Sequence, residues 1–231
     1  DIRGNATPNH VAEAFADGDP MVEQCLGQVV PFDMNAFTAI NSALSVDGVI
    51  LHVADQAVLS HPLHIVHVAT TASAGSVIAP RTLLVLGAGA TATVVESFVS
   101  LSGADATGER PYLRNACAEI TLGQGARLEH IRVQRESRAS WHVGVTGVHQ
   151  QRDSHFRSFT LALGGRLARH DLHARLAAPA VETLLYGLYL GREDQLLDNH
   201  TAIYHDHPDG KSWEVYKGVL TDRAHGVFNG K

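Results

Sequence analysis

The amino-acid sequence predicts an all-β protein. Its strands are expected to stack coil upon coil as a parallel β-helix (a β solenoid) over residues 46–231, behind a short helical N-terminal segment, 1–45. Three observations predict this. About a dozen strand-like runs follow Gly48, and no helical periodicity of any length interrupts them. A five-residue phrase occurs twice, 36 residues apart, as Leu86-Gly87-Ala88-Gly89-Ala90 and Leu122-Gly123-Gln124-Gly125-Ala126, with a degraded third copy at Leu163-Gly164-Gly165-Arg166-Leu167. Sandwiches seldom repeat a turn, because their corners differ, whereas a stacked coil meets the same corner each time. Finally, aromatics make up only 6% of a chain rich in Gly, Ala, Val and Leu, which suits layers of small, regular side chains.

Each element has a local reason. Residues 1–33 are mixed and punctuated by proline, and Val11–Ala16 reads as a short helix stopped near Gly18 and Pro20. Residues 34–44 place Phe37, Ile40, Ala43 and Leu44 on one helical face. Asp47-Gly48 is a turn signal. Strands are expected at 49–53, 63–69, 82–86, 91–99, 116–122, 127–134, 142–150, 155–163, 168–176, 181–190, 200–204 and 212–219. Ala168, His170, Leu172, Ala174 and Leu176 alternate with Arg169, Asp171, His173 and Arg175, the pattern of a half-buried strand. Residues 82–86 are apolar on both faces, as in a strand covered on both sides. In the repeated phrase the glycines can take positive φ between strands. A phosphate cradle is disfavoured, since the Lys-Ser/Thr of a P-loop and a following helix are both missing. The 36-residue spacing exceeds one compact coil and leaves open whether one copy spans more than a single turn.

Composition excludes several functions. A net charge of −6 offers no basic field for a phosphate backbone, so no nucleic acid is expected as a partner. Cys25 and Cys117 are far apart, which argues against a disulfide framework or a disulfide-linked partner and fits a reducing, cytoplasmic setting. No run of eighteen apolar residues exists, so no membrane span is expected. The polar start carries no signal segment, and since the first residue is not Met and the last residues still read as a strand, both ends are read as trimmed.

Histidine is the abundant residue among those that carry chemistry, with fifteen copies. The densest group, 198–207, makes Asp198, His200, His205 and His207 candidate ligands for zinc or iron. In an extended strand His205 and His207 share a face and His200 lies opposite, so a joint site needs a bulge. The bland reading is a strand running into a solvated Pro208-Asp209-Gly210 turn. His64 and His67 face opposite ways. No catalytic residue is assigned, since no nucleophile motif is present. Glu119, Glu129, Glu136, Asp153 and Asp171 could pair across coils as in sugar-cleaving β-helices, but solvated strand faces explain them more simply, with Glu129, Glu136, Asp153 and Asp171 in ladders with Arg132, Arg135, Arg138, Arg152, Arg157, Arg166 and Arg169, each exposed pair worth under about 1 kcal/mol. Two cysteines cannot hold an iron–sulfur cluster alone, so no cofactor is assigned to this chain.

Several stretches together resemble one family. Pro80-Arg81-Thr82-Leu83-Leu84-Val85-Leu86-Gly87, Val94-Val95-Glu96-Ser97-Phe98, Ala126-Arg127-Leu128-Glu129-His130, Leu163 to Arg169, Asp198-Asn199-His200-Thr201, Tyr216-Lys217-Gly218-Val219-Leu220 and Gly226-Val227-Phe228-Asn229-Gly230-Lys231 are similar to the SufD subunits of the SUF iron–sulfur cluster assembly machinery. The resemblance covers about residues 35–231, and the last two motifs fit SufD better than its paralogue SufB. It implies a right-handed parallel β-helix acting as a non-catalytic scaffold in a SufBCD complex, beside a SufB-like protein and the SufC-like ATPase, and supporting iron entry. It also implies a transient iron or iron–sulfur cluster at a partner interface. A homodimer through the β-helix is a further candidate assembly. Members of the family continue past the final motif into coils and helices that contact SufB and SufC, so the β-helix is expected to be incomplete at its C-terminal end, and no cluster-site residue is carried over. Two other functions compete: a metal-dependent cupin-like enzyme built on His205 and His207, and a polysaccharide-acting β-helix.

Overall fold

The computed structural model describes all residues except 1–5, 47, 71, 72, 74 and 102–110. Asp47 of the expected turn therefore lies outside the described residues. In chain order the elements are β1 (Ala6–His10), α1 (Val11–Ala16), α2 (Pro20–Cys25), α3 (Ala36–Leu44), β2 (Gly48–Val53), β3 (Leu63–Ala69), β4 (Val77–Ile78), β5 (Arg81–Leu86), β6 (Thr91–Ser100), β7 (Leu113–Leu122), β8 (Arg127–Arg135), β9 (Trp141–Gln150), β10 (His155–Ala162), β11 (Leu167–Leu176), β12 (Glu182–Gly191), β13 (Leu196–His205), β14 (Lys211–Leu220) and β15 (His225–Gly230).

Two sheets face each other. One runs β1-β2-β5-β7-β9-β11-β13-β15, with β4 beside β7, and the other runs β3-β6-β8-β10-β12-β14. From β5 onward the chain alternates between them, and among the described residues every strand pair is parallel except β1 with β2. The architecture is a β solenoid of about six turns. Strand β1 lies antiparallel on β2 and closes that sheet edge, which would otherwise present unpaired backbone.

The repeated phrase is a corner, and its spacing is one coil. Leu86 pairs directly with Leu122, so the 36 residues are a single turn, lengthened by the segment between β6 and β7. Later turns are shorter: Leu122 pairs with Gln150, and Leu176 with His205. The two glycines of each copy do different work. Gly89 and Gly125 take φ of +66° and +68°, and each donates its N–H to the next coil, to the carbonyls of Gln124 and Arg152. Gly87 and Gly123 are needed for close approach: a Cβ on Gly123 would stand 2.9 Å from the Ala88 nitrogen. At the same corner Gln56 and Asp153 take positive φ without being glycine. The third copy is not part of this column. Gly164 and Gly165 lie between β10 and β11, at the opposite corner, where a Cβ on Gly164 would meet the Glu136 carbonyl at 2.2 Å.

In-register stacking divides the interior. On the glycine-corner side, Leu51, Leu84, Ile120, Val148 and Ala174 form one column, and Ala92, Leu128 and Phe156 another on the facing sheet. All are buried, and full burial of each large side chain stabilises the fold by roughly 1.5–3 kcal/mol. The other half of the interior is polar.

The N-terminal helices are capped as their sequences dictate. Asp19 accepts from the Met21 N–H with Pro20 at the first helical position, and Asn35 and Thr38 form a reciprocal box. The face by which α3 packs differs from the apolar stripe that its periodicity predicts. Thr38 and Asn41 are buried while Ile40 and Leu44 are exposed. The Asn41 amide donates to the Pro80 and Asn115 carbonyls, so hydrogen bonds to the strands decide the orientation.

Gly125→Asn should be nearly neutral in urea denaturation, because the corner already accepts non-glycine residues at positive φ. Gly123→Ala should cost about 1–3 kcal/mol, because the coils must separate to admit the methyl group. Equal costs at the two positions would contradict this division of labour.

Candidate functional site

The N-terminal segment covers only part of the outer face of the first sheet, and the covering depends on one carboxylate. Glu119 on β7 accepts from the N–H groups of Gly27, Val29 and Val30 at 2.8–3.0 Å, and from Arg81 Nε at 2.9 Å. Arg81 in turn donates to the Val30 carbonyl and to Asn41. Both side chains are almost fully buried. Val30 packs on Cys117 and Val145 beneath this clamp.

Beyond the clamp, the outer faces of β11 and β13 line a trench. One cavity of about 480 Å³ is bounded by Met34, Phe37, Arg169, Asp171, His200 and Tyr204 among others. A second, of about 410 Å³, shares Met34, His173 and Tyr204 with it and continues past His149 and Arg175. The polar wall is an ion chain. Arg169 lies 3.0 Å from Asp171 Oδ1 and donates at 2.8 Å to Asp198 Oδ2, and His200 Nε2 lies 2.8 Å from Asp198 Oδ1. His173 stacks on Tyr204 with ring centroids 6.3 Å apart. Burial holds His173 below the ordinary imidazole range, Asp171 opposing and His200 reinforcing the shift.

The structure brings two of the four candidate metal ligands together. Asp198 and His200 share the outward face of β13. His205, at the end of β13, pairs with inward-facing Leu176 and contacts Ser212 Oγ at 3.0 Å. His207 lies past the strand, exposed in the following corner. Among the described residues no group of three or more His, Cys, Asp or Glu is disposed to hold a metal ion. The two thiols are held protonated: burial pushes Cys117 up to about 12, and burial, then Glu119 and Asp19, raise Cys25.

A second polar cluster lies inside the solenoid, where sequence reading placed no site. Arg132 and Glu136, expected in exposed ladders, are buried, as is Glu119. Asp171, also expected to be solvated, is buried beside Arg169, whereas Arg157 and Glu129 form an exposed pair between neighbouring coils. Glu136 accepts from Arg114 Nε at 2.6 Å and from the Tyr112 hydroxyl at 3.0 Å, and lies 2.5 Å from His142 Nδ1. The far nitrogen of His142 contacts Arg132, whose guanidinium sits 4.7 Å over the Phe98 ring. The opposite face of this assembly is His67, stacked on Phe98 and 3.0 Å from Glu96, which also accepts from Thr82 at 2.8 Å. Burial raises a carboxyl, but His142 and Arg114 outweigh it and hold Glu136 at about 2. Burial lowers His142 to about 4 against the opposing pull of Glu136. The signal was present in the sequence: Leu128, His130, Arg132 and Gln134 alternate with Arg127, Glu129, Ile131 and Val133, and the first set points inward.

Comparison with known proteins gives one consistent family. The model of the SUF system FeS cluster assembly SufBD core domain matches residues 67–231. An iron–sulfur cluster assembly SufBD family protein of Synechocystis is 30% identical over 84% of this chain and 44% of its own length. The chloroplastic protein ABCI7 of Arabidopsis thaliana is 32% identical over 65% of this chain and 31% of its own. The iron–sulfur cluster assembly protein SufD of Escherichia coli is 28% identical over 63% and 33%. The chain thus spans less than half the length of these curated relatives.

The interior cluster makes stability depend on pH. His142 is neutral in the fold down to about pH 4, whereas its unfolded value is 6.5, so its contribution is complete above 6.5 and is lost as pH falls towards 4. Glu136 contributes above its unfolded value of 4.5 and loses that contribution as pH falls towards 2. The unfolding free energy from urea denaturation should therefore fall on acidification below pH 6.5, by on the order of 1.4 kcal/mol per pH unit for each titrating group. His142→Gln should reduce the slope between pH 6.5 and 4, leaving the share of His170 in place. Glu136→Ala should cost about 3–5 kcal/mol at pH 7, because Arg114 is left buried without its carboxylate; a loss below 1 kcal/mol would refute this role.

Proposed function

The chain belongs to the SufBD core family of the SUF iron–sulfur cluster assembly system, and on that premise we propose that it is a SufD-like scaffold subunit rather than an enzyme. In this reading it assembles with a SufB-like subunit and a SufC-like ATPase in the cytoplasm, and supports entry of iron into a cluster built on the complex. The observation that carries the proposal is the match of the core-domain model to the stack of coils from β3 to β15.

The chemistry of the chain supports a supporting role. Both thiols are raised above the ordinary range by burial, so neither offers a ready thiolate for a cluster, and the ligands of any nascent cluster would come from a partner. The buried carboxylates Glu119 and Glu136 are tied to arginines, which removes them from the acid–base pairs that a sugar-cleaving β-helix requires. The stacked parallel coils are also a different architecture from the antiparallel barrel of a cupin.

Affinity purification of the natural protein, co-expressed with SufB-like and SufC-like proteins, should recover all three in a fixed ratio. Recovery of the tagged protein alone would count against the scaffold reading. Stoichiometric iron on the isolated protein, lost on changing His205 and His207 to Ala, would favour the metal-dependent enzyme instead.

A further inference from the structure

The outer face of the first sheet is part filled and part open, and the filled part shows what the open part fits. Residues 27–30 lie against β7 and β9 and are held by their main chain. The Glu119 carboxylate accepts three of their N–H groups, and Arg81 donates to the Val30 carbonyl. Gly147 on β9 makes room for them, since a Cβ there would stand 2.6 Å from Val30 Cγ2. The columns that carry this clamp continue beyond β9. Arg81 and Cys117 stack in line with Val145, Asp171 and His200, and Glu119 with Gly147, His173 and Ala202. The trench over β11 and β13 is therefore the continuation of one groove, past the span that residues 27–30 occupy.

The open stretch has the length and chemistry of a peptide site. Its two cavities, of about 480 and 410 Å³, share Met34, His173 and Tyr204. Each falls within the roughly 300–1,000 Å³ of ligand pockets. Arg169 lines one cavity and Arg175 the other. They stand on the same strand, about 20 Å apart at roughly 3.3 Å per residue. Between them lie Val29, Met34 and the stacked rings of His173 and Tyr204. The carboxylates that accompany the arginines lie deeper than the arginines themselves. The Arg169 side chain is 32% exposed over Asp171 at 9% and Asp198 at 14%, and Arg175 is 60% exposed over Asp206 at 35%. A ligand entering the trench thus meets cations at both ends and an apolar middle, in a chain whose net charge is −6.

We propose that this trench docks an extended, acidic segment of a partner protein, about seven residues long. Alternate side chains of an extended segment share one face, so its first, third, fifth and seventh positions point into the trench. Carboxylates at the first and seventh meet Arg169 and Arg175, and apolar side chains at the third and fifth rest on Met34 and Tyr204. The proposal rests on this geometry and not on the scaffold reading.

Fluorescence anisotropy with the natural protein tests it. The probe is a fluorescein-labelled, amidated peptide, Glu-Ser-Leu-Ser-Val-Ser-Glu. Saturable binding is expected, and added salt should weaken it. Exchanging both Glu for Lys in the peptide should weaken binding at least about tenfold, as should Arg175→Glu in the protein, because charge-assisted hydrogen bonds are lost. Tyr204→Ser keeps the charges and removes part of the apolar floor, and should also weaken binding of the acidic peptide. Arg175 and Tyr204 are both exposed, so neither variant should shift Tm, which separates lost binding from lost folding. No saturable binding, equal binding of the Lys peptide, or undiminished binding to either variant overturns the proposal.

Discussion

In-register parallel stacking is the constraint on which this molecule depends. Each inward side chain stands beside its counterpart one coil away, so a residue placed inside is surrounded by its own column and by the facing sheet. An apolar column solves this simply, as Leu51, Leu84, Ile120, Val148 and Ala174 do. A charged residue has to find its opposite among the same few positions. Glu136 finds Arg114 on β7, one coil earlier, and His142 on the next strand. Because the backbone register sets these encounters, the polar cluster is fixed as rigidly as the apolar one.

The interior charges also balance. Glu96 and Glu136 face Arg114 and Arg132, while His142 and His170 are kept neutral, chiefly by burial. Such an arrangement contributes specificity at least as much as stability, since a slip of one residue in any strand would turn a charged column outward and an exposed one inward. The outer clamp works by the same logic: one carboxylate, Glu119, gathers three backbone N–H groups of the N-terminal segment against β7.

Much of the fold was legible in the sequence. Strand positions from 49 to 219 are recovered to within a few residues, because alternation and Gly-rich corners are local signals. Strand β1 and the two-residue β4 are not read from the sequence, since their pairing with β2 and β7 is a long-range choice that so few residues cannot announce. The apolar stripe of α3 points to the wrong packing face, because the bonds of Asn41 to the Pro80 and Asn115 carbonyls set the orientation instead. The interior cluster went unseen for a related reason. Residue type alone sends Arg132 and Glu136 to solvent, although the period of two places Arg132 on the same inward face as Leu128. Of the candidate ligands in the histidine-rich stretch, Asp198 and His200 meet, whereas His205 lies on the opposite face of β13 and His207 past its end.

The two corners of the coil also differ in what they tolerate. The glycine corner is locked: its residues bond from coil to coil and approach too closely for an added side chain at Gly87 or Gly123, and the opposite corner is locked in the same way where Gly164 meets Glu136. The opposite corner absorbs all the extra length of the 36-residue turn between Ser100 and Leu113, and β6 and β7 keep their pairing on either side of it. Lengthening at that corner leaves the register untouched. It is the place where such a solenoid can acquire new sequence during evolution, or accept a grafted segment, without renegotiating its core.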